Sequence, residues 1–295
     1  MEPDKAMNDN VNEADNKIFA LLSNYLNHKP DFISKEEIDQ IVTYGVSAEY
    51  AFSVLFAAAL GLDIADNTED ADLFNKYFKQ MTHKLDVNVY YNNPYFKNIK
   101  IPAITVGNSE LRYEQYKPYE VFVCNDIITT PEGRQIPQIG FFETEFIFPA
   151  VLEYNRIWMT ITPNEIETMK EAVDGAFGKV LTFGLGLGYY AYMVSEKAEV
   201  TSITIVESNE AVIRLFSRYI LPQFKNAPKI KIIQADAFEY AHEHMPKEAY
   251  DFVFTDLWHD VSDGLDMYLR MKEYEPQNPS TVFSYWIEKS IVCYL

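Results

Sequence analysis

The C-terminal half of the chain predicts an α/β fold, a parallel sheet with helices on both faces. Three observations predict it. From Thr162 onward short apolar strands alternate with helical stretches. A glycine turn, Gly184-Leu185-Gly186-Leu187-Gly188, joins the first strand to the first helix. The next three strands run out onto acidic residues, Glu207, Asp236 and Asp256.

Thr162 followed by Pro163 predicts a capped helix to about Ala176, with proline at the first helical position. Strands are predicted over 179–184, 201–207, 229–234 and 250–256, and helices over 187–197, 209–219 and 237–244. Apolar strands separated by helices imply a parallel sheet buried on both sides. A further helix near 263–274 leads to a fifth strand over 281–286. Nine residues follow it, too few for a closing antiparallel hairpin. The sheet is therefore expected to be short at that edge, covered by the N-terminal half or by another subunit, as in a homodimer.

The N-terminal half reads differently. Residues 1–15 are polar without apolar period and read as a disordered tail. Ile18, Leu21, Leu22 and Leu26 begin a helical pattern, and Ser34 with Glu37 forms a capping box for the next helix. Ser47 opens an apolar helix over 48–62, and another is predicted over 71–84. After Asp86 the segments 87–91, 119–124, 141–148 and 157–161 are β-branched and aromatic, which predicts an antiparallel region. Pro131-Glu132-Gly133 supplies its hairpin turn. The domain division is thus 1–15 as a tail, 16–161 as a helical and β region, and 162–295 as the α/β domain.

Composition narrows the class. The 295 residues are 48% hydrophobic and 23% charged, a globular profile with room for two domains. Lysine and arginine number 25 against 44 acidic residues, for a net charge of −19, which argues against nucleic acid as partner. No apolar run is long enough for a membrane span, and the polar start lacks a secretory pattern, so a cytoplasmic protein is expected. Cys124 and Cys293 sit among apolar neighbours, which predicts burial, and show no metal-ligand spacing with the histidines. No metal site is expected.

Glycines at the first strand–helix junction allow a tight turn and close approach of a ligand to backbone atoms. Glu207 ends the second strand 19 residues after Gly188, where a carboxylate can accept from both hydroxyls of a ribose. Asp236 after the third strand could accept from an adenine amino group, with Ala237 and Phe238 beside the ring. Asp256 after the fourth brings another acid to the same rim. His259 and Asp260 follow on the loop 256–260; histidine suits proton transfer near neutral pH, and Asp256 could orient it or hold a substrate amine. Trp258 would wall a pocket or pack beneath this loop. The segment 93–98, rich in aromatics, reads as packing more readily than as a lid.

Residues 179–260 resemble the class I S-adenosylmethionine-dependent methyltransferase superfamily and are most similar to its spermidine synthase-like branch. Val180–Gly188 resembles the first cofactor motif, and Thr204–Ile213, with Glu207 and Ser208, the second, which grips the ribose. Asp236-Ala237-Phe238 is similar to the third, which contacts adenine. The resemblance implies S-adenosylmethionine as cofactor, held by Gly184, Gly186, Gly188, Glu207, Ser208, Asp236, Ala237 and Phe238, with Asp256, His259 and Asp260 as the catalytic candidates.

Two positions depart from the family. Thr182 stands where many methyltransferases have an acid, and His259 stands where aminopropyl transferases have the second of two aspartates. Methyl transfer to a small molecule is therefore the leading expectation. Aminopropyl transfer, or a catalytically silent binding or assembly protein on the same fold, are the alternatives. The glycines are evenly spaced, which disfavours a nicotinamide enzyme. The acidic composition would suit a cationic substrate.

Overall fold

The computed structural model describes residues 3–28, 30–154 and 156–295, with side chains from residue 12 onward. The chain forms two compact units: residues 1–88 with 115–147, and residues 89–114 with 148–295. This division departs from the boundary expected at Thr162. Segment 89–114 bonds to residues 187–192 through Asn93, Tyr95 and Asn98, and segment 148–161 contributes Trp158 and Met159 to a cavity of the same unit.

In the first unit, helices Lys35–Val42 and Ala48–Ala59 start at the expected caps, Ser34 and Ser47. The first helix, Pro3–His28, covers most of the stretch read as a tail. No helix breaker lies between Pro3 and His28, and Asp15 is anchored by hydrogen bonds from Tyr77 Oη (2.6 Å) and Gln135 N (3.2 Å). The helix over 71–84 ends sooner, at Met81, and Thr82–Leu85 is a strand paired in parallel with Ile139–Phe142. The strand Gln135–Phe142 is central in a three-stranded sheet, with Thr82–Leu85 on one side and Phe122–Thr129 on the other. The turn at 131–133 joins Phe122–Thr129 to Gln135–Phe142, with Gly133 at φ +87. Phe52 stacks on Phe141 at 3.7 Å between centroids, closing the core between helix and sheet.

Two predicted strands are corrected. Residues 87–91 form a short helix, started by Asp86 accepting from Asn88 N at 2.9 Å. Residues 141–148 belong to two strands, Gln135–Phe142 and Phe146–Glu153, with a turn at 143–145. Both strands are buried almost throughout, so their apolar run hides the turn between them.

The second unit contains the expected Rossmann-like sheet. Its strands are β1 (Gly178–Phe183), β2 (Val200–Glu207), β3 (Ile230–Gln234), β4 (Phe252–Thr255) and β5 (Val282–Tyr285). All pair in parallel, in the order 3-2-1-4-5. The chain winds outward from β1 to β3, then returns to β4 and β5 on the other side. The reversal lies between β1 and β4, where open α/β sheets leave a crevice at their carboxyl ends. A second sheet, with strands in the order Ile104–Val106, Ser109–Tyr116, Phe146–Glu153, Arg156–Thr160, lies for most of its length in the same unit.

Segment 93–98 packs, as expected, rather than forming a lid. Tyr95 is buried and donates to Leu187 O at 2.6 Å. Asn93 Nδ2 donates to Tyr189 Oη (3.0 Å) and Asn98 Nδ2 to Tyr192 Oη (2.8 Å). These bonds fasten the helix that follows the glycine turn. Cys124 is buried, but Cys293 is partly exposed because the last helix keeps that side at the surface. Among the described residues no helix is long and apolar enough to cross a membrane, and no group of three or more acidic, histidine or cysteine side chains is placed to hold a metal.

Candidate functional site

The register of the sheet brings chemistry to one row. Phe183 pairs with Val206 and with Thr255, and Thr255 pairs with Tyr285. The next residue on each strand is therefore Gly184, Glu207, Asp256 or Trp286. All four line a cavity of about 480 Å³ at the carboxyl edge of the sheet, within the size range of small-molecule sites. Every residue that lines it belongs to the second unit.

The glycine turn has three separate jobs. Gly184, Gly186 and Gly188 all have positive φ (+93, +52, +75), which glycine adopts without steric cost. A Cβ on Gly184 would lie 1.9 Å from Asp256 O, so this position permits β1 and β4 to meet. A Cβ on Gly188 would lie 2.2 Å from Phe216 Cε2, so this one seats a helix. Gly188 does not line the cavity. Gly186 does, and a Cβ there would meet only Met159 Sδ, at 3.8 Å. Its backbone is the part of the turn open to a ligand.

Glu207 is buried and holds the turn to the second strand. Its Oε2 accepts from Leu185 N (3.1 Å) and its Oε1 from Asn209 N (2.7 Å). Each carboxylate oxygen has about two acceptor directions, so each keeps one for a ligand hydroxyl. Ser208, beside it, is exposed and also lines the cavity. Thr182 is buried on the wall.

The third-strand motif lies elsewhere. Asp236 is an exposed helix N-cap whose Oδ1 accepts from Phe238 N and Glu239 N, each at 2.9 Å. Ala237 is buried, and Phe238 lies under the Arg270 guanidinium at 3.9 Å. None of the three lines the cavity, because one residue separates Asp236 from the end of β3 and the next helix begins just after it.

Asp256 is one of three acids that line the cavity, with Glu165 and Glu207. Burial pushes its carboxyl up to about 8, and the charges of Glu165 and Glu207 add to this. Glu165 is itself fixed, accepting from Thr160 Oγ1 (2.7 Å), from Thr162 N (2.8 Å) and from the Thr162 hydroxyl as the helix capping box. His259 lines the cavity as an exposed side chain, with Nδ1 3.0 Å from Asp263 Oδ2 and its ring edge-on to Trp158 at 4.2 Å. Asp260 is occupied as the N-cap of helix Val261–Lys272, accepting from Ser262 N at 2.6 Å, and does not line the cavity. Of the three catalytic candidates, Asp256 and His259 reach the site.

Several lining residues escaped the motif search: Trp158, Met159, Glu165, Tyr189, Tyr190 and Trp286. Trp286 was findable, since it follows β5 at the position where the other strands carry Gly184, Glu207 and Asp256. Trp158 and Met159 come from the irregular β region, and no motif connects them to the sheet. All three tryptophans of the chain line this one cavity.

No protein family and no curated protein matches the chain by sequence. Many solved structures resemble part of it, among them the following two. Precorrin 8w decarboxylase from Methanobacterium thermoautotrophicum is 12% identical with a TM-score of 0.33, over 42% of this chain and 63% of that one. Spermidine synthase from Thermotoga maritima is 19% identical with a TM-score of 0.32, over 46% of this chain and 49% of that one. The chain thus spans less than two thirds of the length of the first of these structures and about half of the second.

Proposed function

We propose that the chain binds S-adenosylmethionine in this cavity and transfers its methyl group to a small-molecule acceptor. The observation that carries the reading is the combination of Gly186 and Glu207. An open backbone and a buried carboxylate with a free acceptor direction on each oxygen face one cavity at the switch point of a Rossmann-like sheet. That combination suits a nucleoside whose ribose donates to Glu207. The Asp236–Phe238 segment supplies no adenine contact in this arrangement, so the base would be held by the apolar wall.

When bound, the cofactor supplies an electrophilic methyl group on a sulfonium. The protein's part is to exclude water with its aromatic wall, to fix the acceptor, and to take its proton. Asp256 suits the last task because a group that titrates near pH 8 exchanges protons readily around neutrality. His259, at the mouth beside Trp158, can pass that proton to solvent.

One observation favours aminopropyl transfer instead. Among the described residues no lysine or arginine lines the cavity, so no side-chain cation meets the carboxylate of the intact cofactor. Calorimetry with S-adenosylmethionine and with its decarboxylated form separates the two readings, because the correct cofactor binds the tighter. For the nucleoside site itself, S-adenosylhomocysteine at 100-fold above Kd should stabilise the protein by about 2.7 kcal/mol through mass action. Glu207→Gln should lose most of that shift and NAD should give none. A response unchanged by Glu207→Gln removes the ribose assignment.

A further inference from the structure

We infer that the aromatic wall of this cavity is a subsite for an alkylated ammonium ion, so that the acceptor is an amine already bearing alkyl groups. This rests on the methyl-transfer reading of the same cavity. Trp158, Tyr190, Phe254, Trp258 and Trp286 line the cavity together with Asp256. Aromatic faces attract cations through their quadrupole, most strongly for tryptophan and most strongly where water is excluded. Tyr190 stacks on Phe254 at 4.3 Å between centroids, and Trp258 is pinned because Gly264 leaves no gap, a Cβ there falling 2.9 Å from its Cδ1. Tyr190, Phe254 and Trp258 are therefore held by the protein's own packing.

Charge points the same way. Glu165, Glu207 and Asp256 all line the cavity and repel one another, and no lysine or arginine among the described lining residues offsets them. An anionic acceptor would add to that repulsion and a cation would relieve it.

The transfer step balances on these residues. In its ionised form, which it reaches as pH rises through about 8, the Asp256 carboxylate takes the proton from the ammonium nitrogen. The nitrogen's freed lone pair forms the new bond to the methyl carbon, while the electrons of the broken carbon–sulfur bond stay on sulfur. The product is a more highly substituted ammonium, which the same aromatic faces hold.

Choline is the probe, with 3,3-dimethyl-1-butanol as its uncharged isostere, and the tryptophans report binding by their own fluorescence. Choline should bind at least tenfold tighter than the isostere. Above pH 8, where Asp256 is ionised, Asp256→Asn should weaken choline about tenfold while leaving the isostere unchanged. Equal affinity for the two compounds overturns the proposal without any variant. The same titration on protein saturated with S-adenosylhomocysteine separates acceptor from cofactor. Choline that still binds there supports an acceptor subsite. Choline that binds only free protein, and is displaced by S-adenosylmethionine, makes the wall a seat for the cofactor's sulfonium and overturns the acceptor assignment. If S-adenosylhomocysteine binds and choline does not, the nucleoside reading survives alone. If choline binds and S-adenosylhomocysteine does not, the onium site stands and the nucleoside reading falls.

Discussion

Gly184 and Gly186 lie two residues apart, and substitution should affect them in opposite ways. Alanine at 184 puts a Cβ 1.9 Å from a backbone oxygen of the adjacent strand, which only movement of β4 can relieve. We expect Gly184→Ala to cost more than ~4 kcal/mol, the range of rare, mechanism-specific losses. Alanine at 186 meets nothing closer than 3.8 Å and pays only for a left-handed residue, about 1–2 kcal/mol. Gly186→Ala should fold, with a slightly lower Tm, and lose its response to S-adenosylhomocysteine because the new methyl faces the cavity. A folded Gly186→Ala protein with wild-type binding would show that ligands do not approach this turn. Asp256 gives a third test at this scale. Its folded-state pKa, about 8, lies above the ordinary 3.8, so the folded state keeps a proton that the unfolded chain releases between those values. Stability from this group is full below pH 4 and falls as pH rises through 8. Asp256→Asn, which stays neutral, should match wild type near pH 4 and melt higher, by roughly 5 °C or more, at pH 8. Melting curves of the two proteins across that range check the sign.

The loop between β4 and the next helix shows how one element is held by a few side-chain bonds. Asp263, in the first turn of helix Val261–Lys272, accepts from His259 N (3.1 Å), from Asp260 N (3.1 Å) and from the His259 ring. Burial alone would raise its carboxyl, but these hydrogen bonds hold it below the ordinary range. Asp263→Ala should cost about 1 kcal/mol, as for other lost caps, and speed hydrogen exchange at His259 and Asp260. Asp263→Asn, which keeps an acceptor oxygen, should restore part of both. The same loop marks where sequence reading stops. The strands β1 to β5 were legible because each is a short apolar run with a helix on either side, and Glu207 and Asp256 because they sit at predictable strand ends. Asp236 lies at a strand end too, yet the bonds it accepts from Phe238 and Glu239 turn it to capping. A cap and a ligand contact use the same residue type at the same place, and only geometry separates them. Residues 87–91 failed for another reason: five residues hold little more than one helical turn, too short for the period to show.

At the scale of the whole molecule, the site depends on chain far from its motifs. The stretch that resembles a methyltransferase begins at residue 179, and sequence reading would cut the domain at 162. That cut removes Trp158 and Met159 from the cavity wall. It also removes Tyr95, Asn93 and Asn98, which bond to Leu187, Tyr189 and Tyr192 behind the glycine turn. On the far side it frees the Gln223 side chain, which accepts from Lys100 N and donates to Lys100 O, each at 2.8 Å. Ile99, Ile101 and Leu111, all buried, would leave with the same segment and expose the surface they cover. Burying one large aliphatic side chain contributes about 1.5–3 kcal/mol, and a domain's total stability is ~5–15 kcal/mol, so losing three with Tyr95 consumes most of it. We therefore expect a 162–295 fragment to melt without a cooperative transition in near-UV circular dichroism. Strands Ser109–Tyr116 and Phe146–Glu153 are neighbours in one sheet. A chain of 89–295 with residues 115–147 replaced by a short glycine–serine linker therefore keeps every residue of the second unit. It should unfold cooperatively and respond to S-adenosylhomocysteine. If the 162–295 fragment does both as well, the inserted segments are ornament, and the cavity is built by the sheet and its loops alone.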